Sequence, residues 1–166
     1  VTLSMEVELG WGAGRLDSSN TLGKLSPERA AETETLSTLL KHCDSLDIPF
    51  SFDVVGHLLL ESCDSNHSCR FSGHFDIDPG TDVKTDPLYY APDLVTKIEE
   101  ATVNHEICTH TFSHVNCSQV DPELINLELD TTRQVHKQFG LDKPESLVPP
   151  WHAPPPQAPL QNNGIE

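Results

Sequence analysis

The chain has 166 residues, 36% of them hydrophobic and 22% charged, and 26 acidic against 10 basic side chains give a formal net charge of −16. That length suits one domain, residues 1–166, large enough to bury a core. The charge repels phosphate backbones, which argues against a nucleic-acid partner, and no apolar run is long enough to span a bilayer.

The first predicted element is a strand over residues 1–9, Val1-Thr2-Leu3-Ser4-Met5-Glu6-Val7-Glu8-Leu9. Its alternation places Glu6 and Glu8 on one face. In a parallel sheet that face is buried, so two acids there need a partner, and a metal ion is one. The alternative is an edge or polar-faced strand with solvated carboxylates. Gly10-Trp11-Gly12 predicts a tight loop at the strand's C-terminal end, where α/β sites are built.

Ser26-Pro27-Glu28 reads as an N-cap with proline in the first turn. The helix after it runs to about Leu46, with Leu36, Leu39, Leu40 and Cys43 on one face. A second strand covers Pro49 to Val55. The stretch from Glu61 to Ala91 is rich in Asp, Gly, His and Pro and predicts a long irregular loop, a feature often tied to function. It carries Cys63, His67, Cys69 and His74 with Asp64, Asp76 and Asp78. These ligand types permit a second metal site, but the spacings match no zinc motif, and a polar, substrate-facing loop is the favoured reading.

A helix over Pro92–Ala101 leads into a strand ending at His110. The run Ile107-Cys108-Thr109-His110-Thr111-Phe112-Ser113-His114 then places two histidines four residues apart on the turn leaving that strand. Such a pair can aim both rings at one point and supply two nitrogens to a divalent metal. Surface or capping histidines are the plainer alternative. No Glu follows the first histidine, so the zinc-protease arrangement is not indicated. A helix over Pro122–Phe139 closes at Gly140, and a short strand at Ser146–Val148 precedes the proline-rich run 149–159.

Five cysteines (Cys43, Cys63, Cys69, Cys108 and Cys117) make no disulfide framework for a chain of this size and read as cytoplasmic thiols. No signal-peptide pattern opens the chain. The acidic surface suits a salt-rich cytoplasm, where a Debye length of roughly 3 Å near 1 M salt screens self-repulsion. A haloarchaeal source is the expectation.

Taken in order, the acid-x-acid strand, the strand at Pro49–Gly56, the His110–His114 motif, the helix to Gly140 and Val148-Pro149-Pro150-Trp151 resemble the polysaccharide deacetylase family (NodB-homology, carbohydrate esterase family four). The resemblance runs from about Val1 to Trp151, and 104–114 is its most specific part. It implies a distorted (β/α) barrel of the deacetylase type, incomplete at the C-terminus. It implies a metal-dependent hydrolase that removes N-acetyl groups from a carbohydrate substrate. The metal ligands would be Glu8, His110 and His114, with an open position for water and Zn2+ as first choice. Glu6 would be the general base, and the backbone N–H of Trp151 would help hold the oxyanion.

The departures are specific. Both acids are Glu where the family has Asp. The arginine of the third motif is missing, with Val148 or Trp151 near its place. The last two motifs, including the histidine that acts as general acid, are not present, and His152 is only nearby in sequence. The alternatives are a degenerate relative that binds metal or glycan without turnover, and a hydrolase of a small cyclic amide. Sugar, linkage and oligomeric state are left open.

Overall fold

The computed structural model describes residues 3–15, 25–67 and 76–165. Cys69, His74 and the ends of the chain therefore lie outside the described residues. Three strands form a parallel sheet in the order β1 (Ser4–Val7), β2 (Ser51–Val54), β3 (Glu106–Thr109). Glu6, Asp53 and Cys108 are in register, as are Val7, Val54 and Thr109. A parallel sheet needs crossovers, and helices supply them: α1 (Gly10–Arg15) and α2 (Ala30–Leu46) between β1 and β2, and α3 (Pro92–Glu99) between β2 and β3; α4 (Pro122–Phe139) and α5 (Gln157–Asn163) follow β3. This is the expected α/β class.

The two sheet faces differ in chemistry. Met5, Val7, Phe52 and Val54 share one face and pack with Leu36 and Leu40 of α2 and Leu94, Val95 and Ile98 of α3. Phe52 and Val54 are fully buried, each side chain contributing about 1.5–3 kcal/mol. The other face carries Ser4, Glu6, Asp53 and Cys108. Cys108 Sγ donates to Asp53 Oδ1 at 2.6 Å, which answers half of a fully buried carboxyl. A second apolar cluster joins Val115, Cys117, Ile125, Leu129 and Ile165 between α4, α5 and the turn before α4.

Several local expectations change in detail. Gly10-Trp11-Gly12 is not a loop but the start of α1, and the chain reverses one residue earlier at Leu9, with φ 48. Trp11 is fully buried and donates its indole N–H to Tyr89 O at 3.3 Å. Ser26 does cap, but at a distance: a 3-10 turn, Pro27–Arg29, intervenes before α2. Its Oγ accepts from Ala31 N at 2.9 Å, and Glu32 accepts from Ser26 N at 3.0 Å. Arg29, buried, forks onto Asp93 at 2.6 and 3.1 Å and ties α2 to α3. Helix α4 ends at Gly140, φ 93, whose N–H reaches His136 O at 3.0 Å, as the C-cap signal requires.

The fourth strand shrinks to one parallel bridge between Thr109 and Leu147. Pro144 before it and Pro149 and Pro150 after it have no N–H to extend a ladder. Glu6 is exposed rather than buried, because β1 is an edge strand, the arrangement named above as the alternative.

Candidate functional site

His110 follows β3 directly, and its N–H still bonds Val54 O at 3.0 Å, so the ring leaves from the C-terminal edge of the sheet. Its Nδ1 lies 2.7 Å from Val148 O. A carbonyl can only accept, so Nδ1 carries the proton and Nε2 presents a lone pair in the neutral ring. His110 is 1% exposed, and its Nε2 has no hydrogen-bond partner.

The chain then turns through Thr111 (φ 62) and brings His114 (φ 58) back beside His110, with ring centroids 5.1 Å apart. Left-handed conformations at non-glycine residues are costly, and the turn is held on all sides. Thr111 N donates to Thr109 Oγ1 at 3.1 Å, and Val115 N donates to Thr111 Oγ1 at 3.2 Å. Gly56 N and His57 N bond the carbonyls of Thr111 and Phe112. Glu128 of α4, 1% exposed, accepts from Ser113 N at 2.8 Å and Ser113 Oγ at 2.7 Å. Sequence reasoning missed Glu128. The available signal was an acid inside the apolar stripe of α4, between Leu124, Ile125 and Leu129.

Glu8 completes the group. Its Oε1 lies 3.3 Å from His110 Nε2 and 3.4 Å from His114 Nε2. The two imidazoles hold its carboxyl well below the ordinary carboxylate range. Gly12 makes room for it: a Cβ there would meet Glu8 Oε2 at 1.8 Å. The structure thus brings Glu8, His110 and His114 together with one donor atom from each within 4.8 Å of the others. A carboxylate, a tautomer-fixed imidazole with an orphaned buried nitrogen and a second imidazole are a donor set that fits a divalent transition metal.

Glu6 stands two residues before Glu8 on the same face. It is exposed, yet burial around the carboxyl head, then a hydrogen bond shared with Glu8, push its pKa up; His110 offsets part of this. Asp53, its in-register neighbour, is fully buried, and burial pushes its pKa up as well. Trp151 sits in a 3-10 turn with φ 61, 40% exposed, its ring 5.6 Å from that of His114. His152 is exposed beside it. A cleft of about 440 Å³ runs along the outer edge of β1, lined by Glu6, Glu8, Gly12, Glu32 and Leu36 among others. A cavity of about 650 Å³ flanked by Asn104–Ile107 and Gly140–Lys143 opens at the start of β3, the opposite end of the sheet from His110.

A second group lies in the long loop, and it points into the protein. Cys63, His67 and Asp78 turn inward onto His57, which sits just after β2; their donor atoms also lie within 4.8 Å of one another. Although burial works against it, His57, His67 and Gly80 N–H hold the Asp78 carboxyl below its ordinary range. Asp64 and Asp76 stay exposed.

The polysaccharide deacetylase family model matches residues 27–158. The chain belongs to the polysaccharide deacetylase family. The match takes in His110, His114 and Trp151 and begins after Glu6 and Glu8. Three solved structures share the fold. One is a CE4-family pseudoenzyme from Bacillus anthracis (TM-score 0.60, 14% identity, 99% of this chain and 40% of that one). Another is a family 4 carbohydrate esterase from Streptomyces lividans, in complex with acetate (0.57, 12%, 99% and 59%). A third is the peptidoglycan deacetylase PdaC from Bacillus subtilis (0.55, 11%, 99% and 55%). The chain thus spans between 40% and 59% of their lengths, and at these identities the likeness is one of fold, an incomplete (β/α) barrel. A comparison with curated proteins gives no match.

Proposed function

We propose that this chain carries the metal-binding half of a deacetylase that hydrolyses N-acetyl groups on a carbohydrate. The observation that supports it most is the convergence of Glu8, His110 and His114 at the C-terminal edge of the sheet, where barrel enzymes place their chemistry. These three would hold a divalent ion, with Zn2+ the first choice for such a donor set. Held by these three residues, such an ion would supply Lewis acidity, lowering the pKa of water toward about 7 and polarising an acyl carbonyl.

The chain's own residues do the rest. Val148 O fixes the His110 tautomer, and Glu128 holds the turn that aims His114. Glu6, with its raised pKa, accepts the proton of the attacking water at a carboxylate oxygen. The Trp151 backbone N–H donates to the developing oxyanion; Pro149 and Pro150 have none to offer. The leaving amine needs a proton from a group outside this set.

The test is acetate release from chito-oligosaccharides in high salt with added zinc, comparing the intact protein, Glu6→Gln and His110→Ala/His114→Ala. Glu6→Gln should lose at least about 100-fold if Glu6 is the base; full activity would remove it from that role. The double variant should lose both activity and the metal. Glutamates in place of aspartates favour a second reading, a noncatalytic relative like the B. anthracis pseudoenzyme. Metal binding with no acetate release from any N-acetylated sugar would select it.

A further inference from the structure

The loop between β2 and α3 gathers two histidines, a cysteine and an aspartate into one place. His57 is fully buried, Asp78 is 8% exposed, and Cys63 and His67 are half-buried. His57 Nδ1 lies 3.1 Å from Tyr89 O, so that nitrogen's N–H is spent on the carbonyl and Nε2 is left to face the other donors. Nε2 lies 3.3 Å from Asp78 Oδ2 and 3.5 Å from Cys63 Sγ. Asp78 Oδ2 also lies 3.1 Å from Cys63 Sγ and 2.5 Å from His67 Nε2. Asp78 Oδ1 already accepts from Gly80 N at 3.0 Å and Tyr90 Oη at 3.1 Å.

Hydrogen bonds alone serve this arrangement poorly. With Nδ1–H spent on Tyr89 O, His57 Nε2 meets the carboxylate as a second acceptor whenever the ring is neutral, and one thiol proton faces the carboxylate, an imidazole nitrogen and the Tyr90 hydroxyl. A single cation answers every lone pair. Metal–ligand bonds of 2.0–2.3 Å put tetrahedral donors about 3.3–3.8 Å apart. The 3.3 and 3.5 Å separations fall in that range, and the 3.1 Å one is just below it. The His67 contact is shorter still and needs that ring to swing outward. Charge agrees as well: thiolate and carboxylate against a divalent ion leave a neutral buried cluster, whereas unpaired buried charge is expensive.

We propose that His57, Cys63, His67 and Asp78 form a second, structural metal site for Zn2+ or a similar transition metal, separate from Glu8, His110 and His114. Four protein donors close the coordination shell, as in structural rather than catalytic zinc sites. The site staples the long loop to the end of β2. It also braces the histidine turn, because the Phe112 ring packs obliquely against His57 and edge-on against His67, with centroids 5.4 and 5.3 Å apart.

The experiment is metal analysis and cobalt spectroscopy on the intact protein. The wild type should hold two equivalents of zinc and His110→Ala/His114→Ala one. The cobalt form of both should show a thiolate-to-cobalt charge-transfer band, which the Glu8–histidine group cannot produce. Cys63→Ser should abolish the band and keep the other equivalent. One equivalent in the wild type with no such band overturns the proposal even if Cys63→Ser fails to fold. A band that survives Cys63→Ser overturns it too. Loss of acetate release leaves these readouts unchanged, so this site and the proposed activity stand or fall separately.

Discussion

Gly12 shows how one missing side chain can decide a site. Its Cα faces the Glu8 carboxylate so closely that a methyl group would overlap it. Gly12→Ala is therefore expected to push Glu8 away from the histidines while leaving α1 intact, since alanine favours helix. Metal affinity should fall roughly 10- to 100-fold, the usual cost of disturbing a ligand's support. Competition with a chelator measures it; unchanged affinity would mean that Glu8 is not a ligand. His136 and His105 make a second argument at this scale. Burial holds both below the ordinary histidine value of 6.5. Phe50 N donates to His105 Nδ1 at 3.1 Å, a bond that needs an unprotonated nitrogen. A folded-state pKa below the unfolded one means that the unfolded chain binds more protons. Stability is then full above about pH 6.5 and falls as pH drops through the folded values. His136→Leu should flatten that fall in denaturant titrations on either side of pH 6.5. An unchanged slope would assign the pH dependence elsewhere.

Among the elements, α4 matters most for the site. It presents Leu124, Ile125, Leu129 and Val135 to the core, and Glu128 from the same stripe to Ser113. Removing a buried acceptor of two hydrogen bonds costs about 1.5–3 kcal/mol. Glu128→Ala should lower stability by that amount and also weaken metal binding, because the His110–His114 turn loses its anchor. Calorimetry and metal titration together test this. A stability loss with metal affinity intact would show that the turn holds itself. The loop between β2 and α3 behaves differently: after the 3-10 turn Gly56–Leu59 its described residues carry no helix or strand beyond the Ser62–Asp82 bridge, and side-chain contacts join scattered backbone hydrogen bonds in ordering it.

Over the whole molecule, the net charge of −16 opposes compaction. Raising salt from about 0.1 M to 1 M shortens the Debye length from roughly 10 to 3 Å. The midpoint of thermal unfolding should therefore rise by several degrees over that range. A flat or falling midpoint would remove screening as a contributor to stability. Among the described residues no helix is long and apolar enough to cross a membrane, and Cys43, Cys63, Cys108 and Cys117 form no disulfide.

Local patterning was enough for the elements that depend on it. The three strands, α4 with its glycine stop, the apolar face of α2 and the aim of His110 and His114 at one point all follow from periodicity and from spacing along a few residues. Glu8 could be placed beside them because a strand's alternation and a family resemblance both reach it. What the sequence could not decide involves partners far apart in the chain. Asp53 meets Cys108 across the sheet, Glu128 meets Ser113 from another element, and His57 meets Asp78 across the long loop. The last is why Cys63, His67 and Asp78 read as a polar, substrate-facing loop: their spacing matches no metal motif, and His57, onto which they turn, stands before the loop in the 3-10 turn Gly56–Leu59. Such contacts exist only once the sheet and helices have packed, since desolvation makes a buried polar group seek a partner that local sequence does not specify.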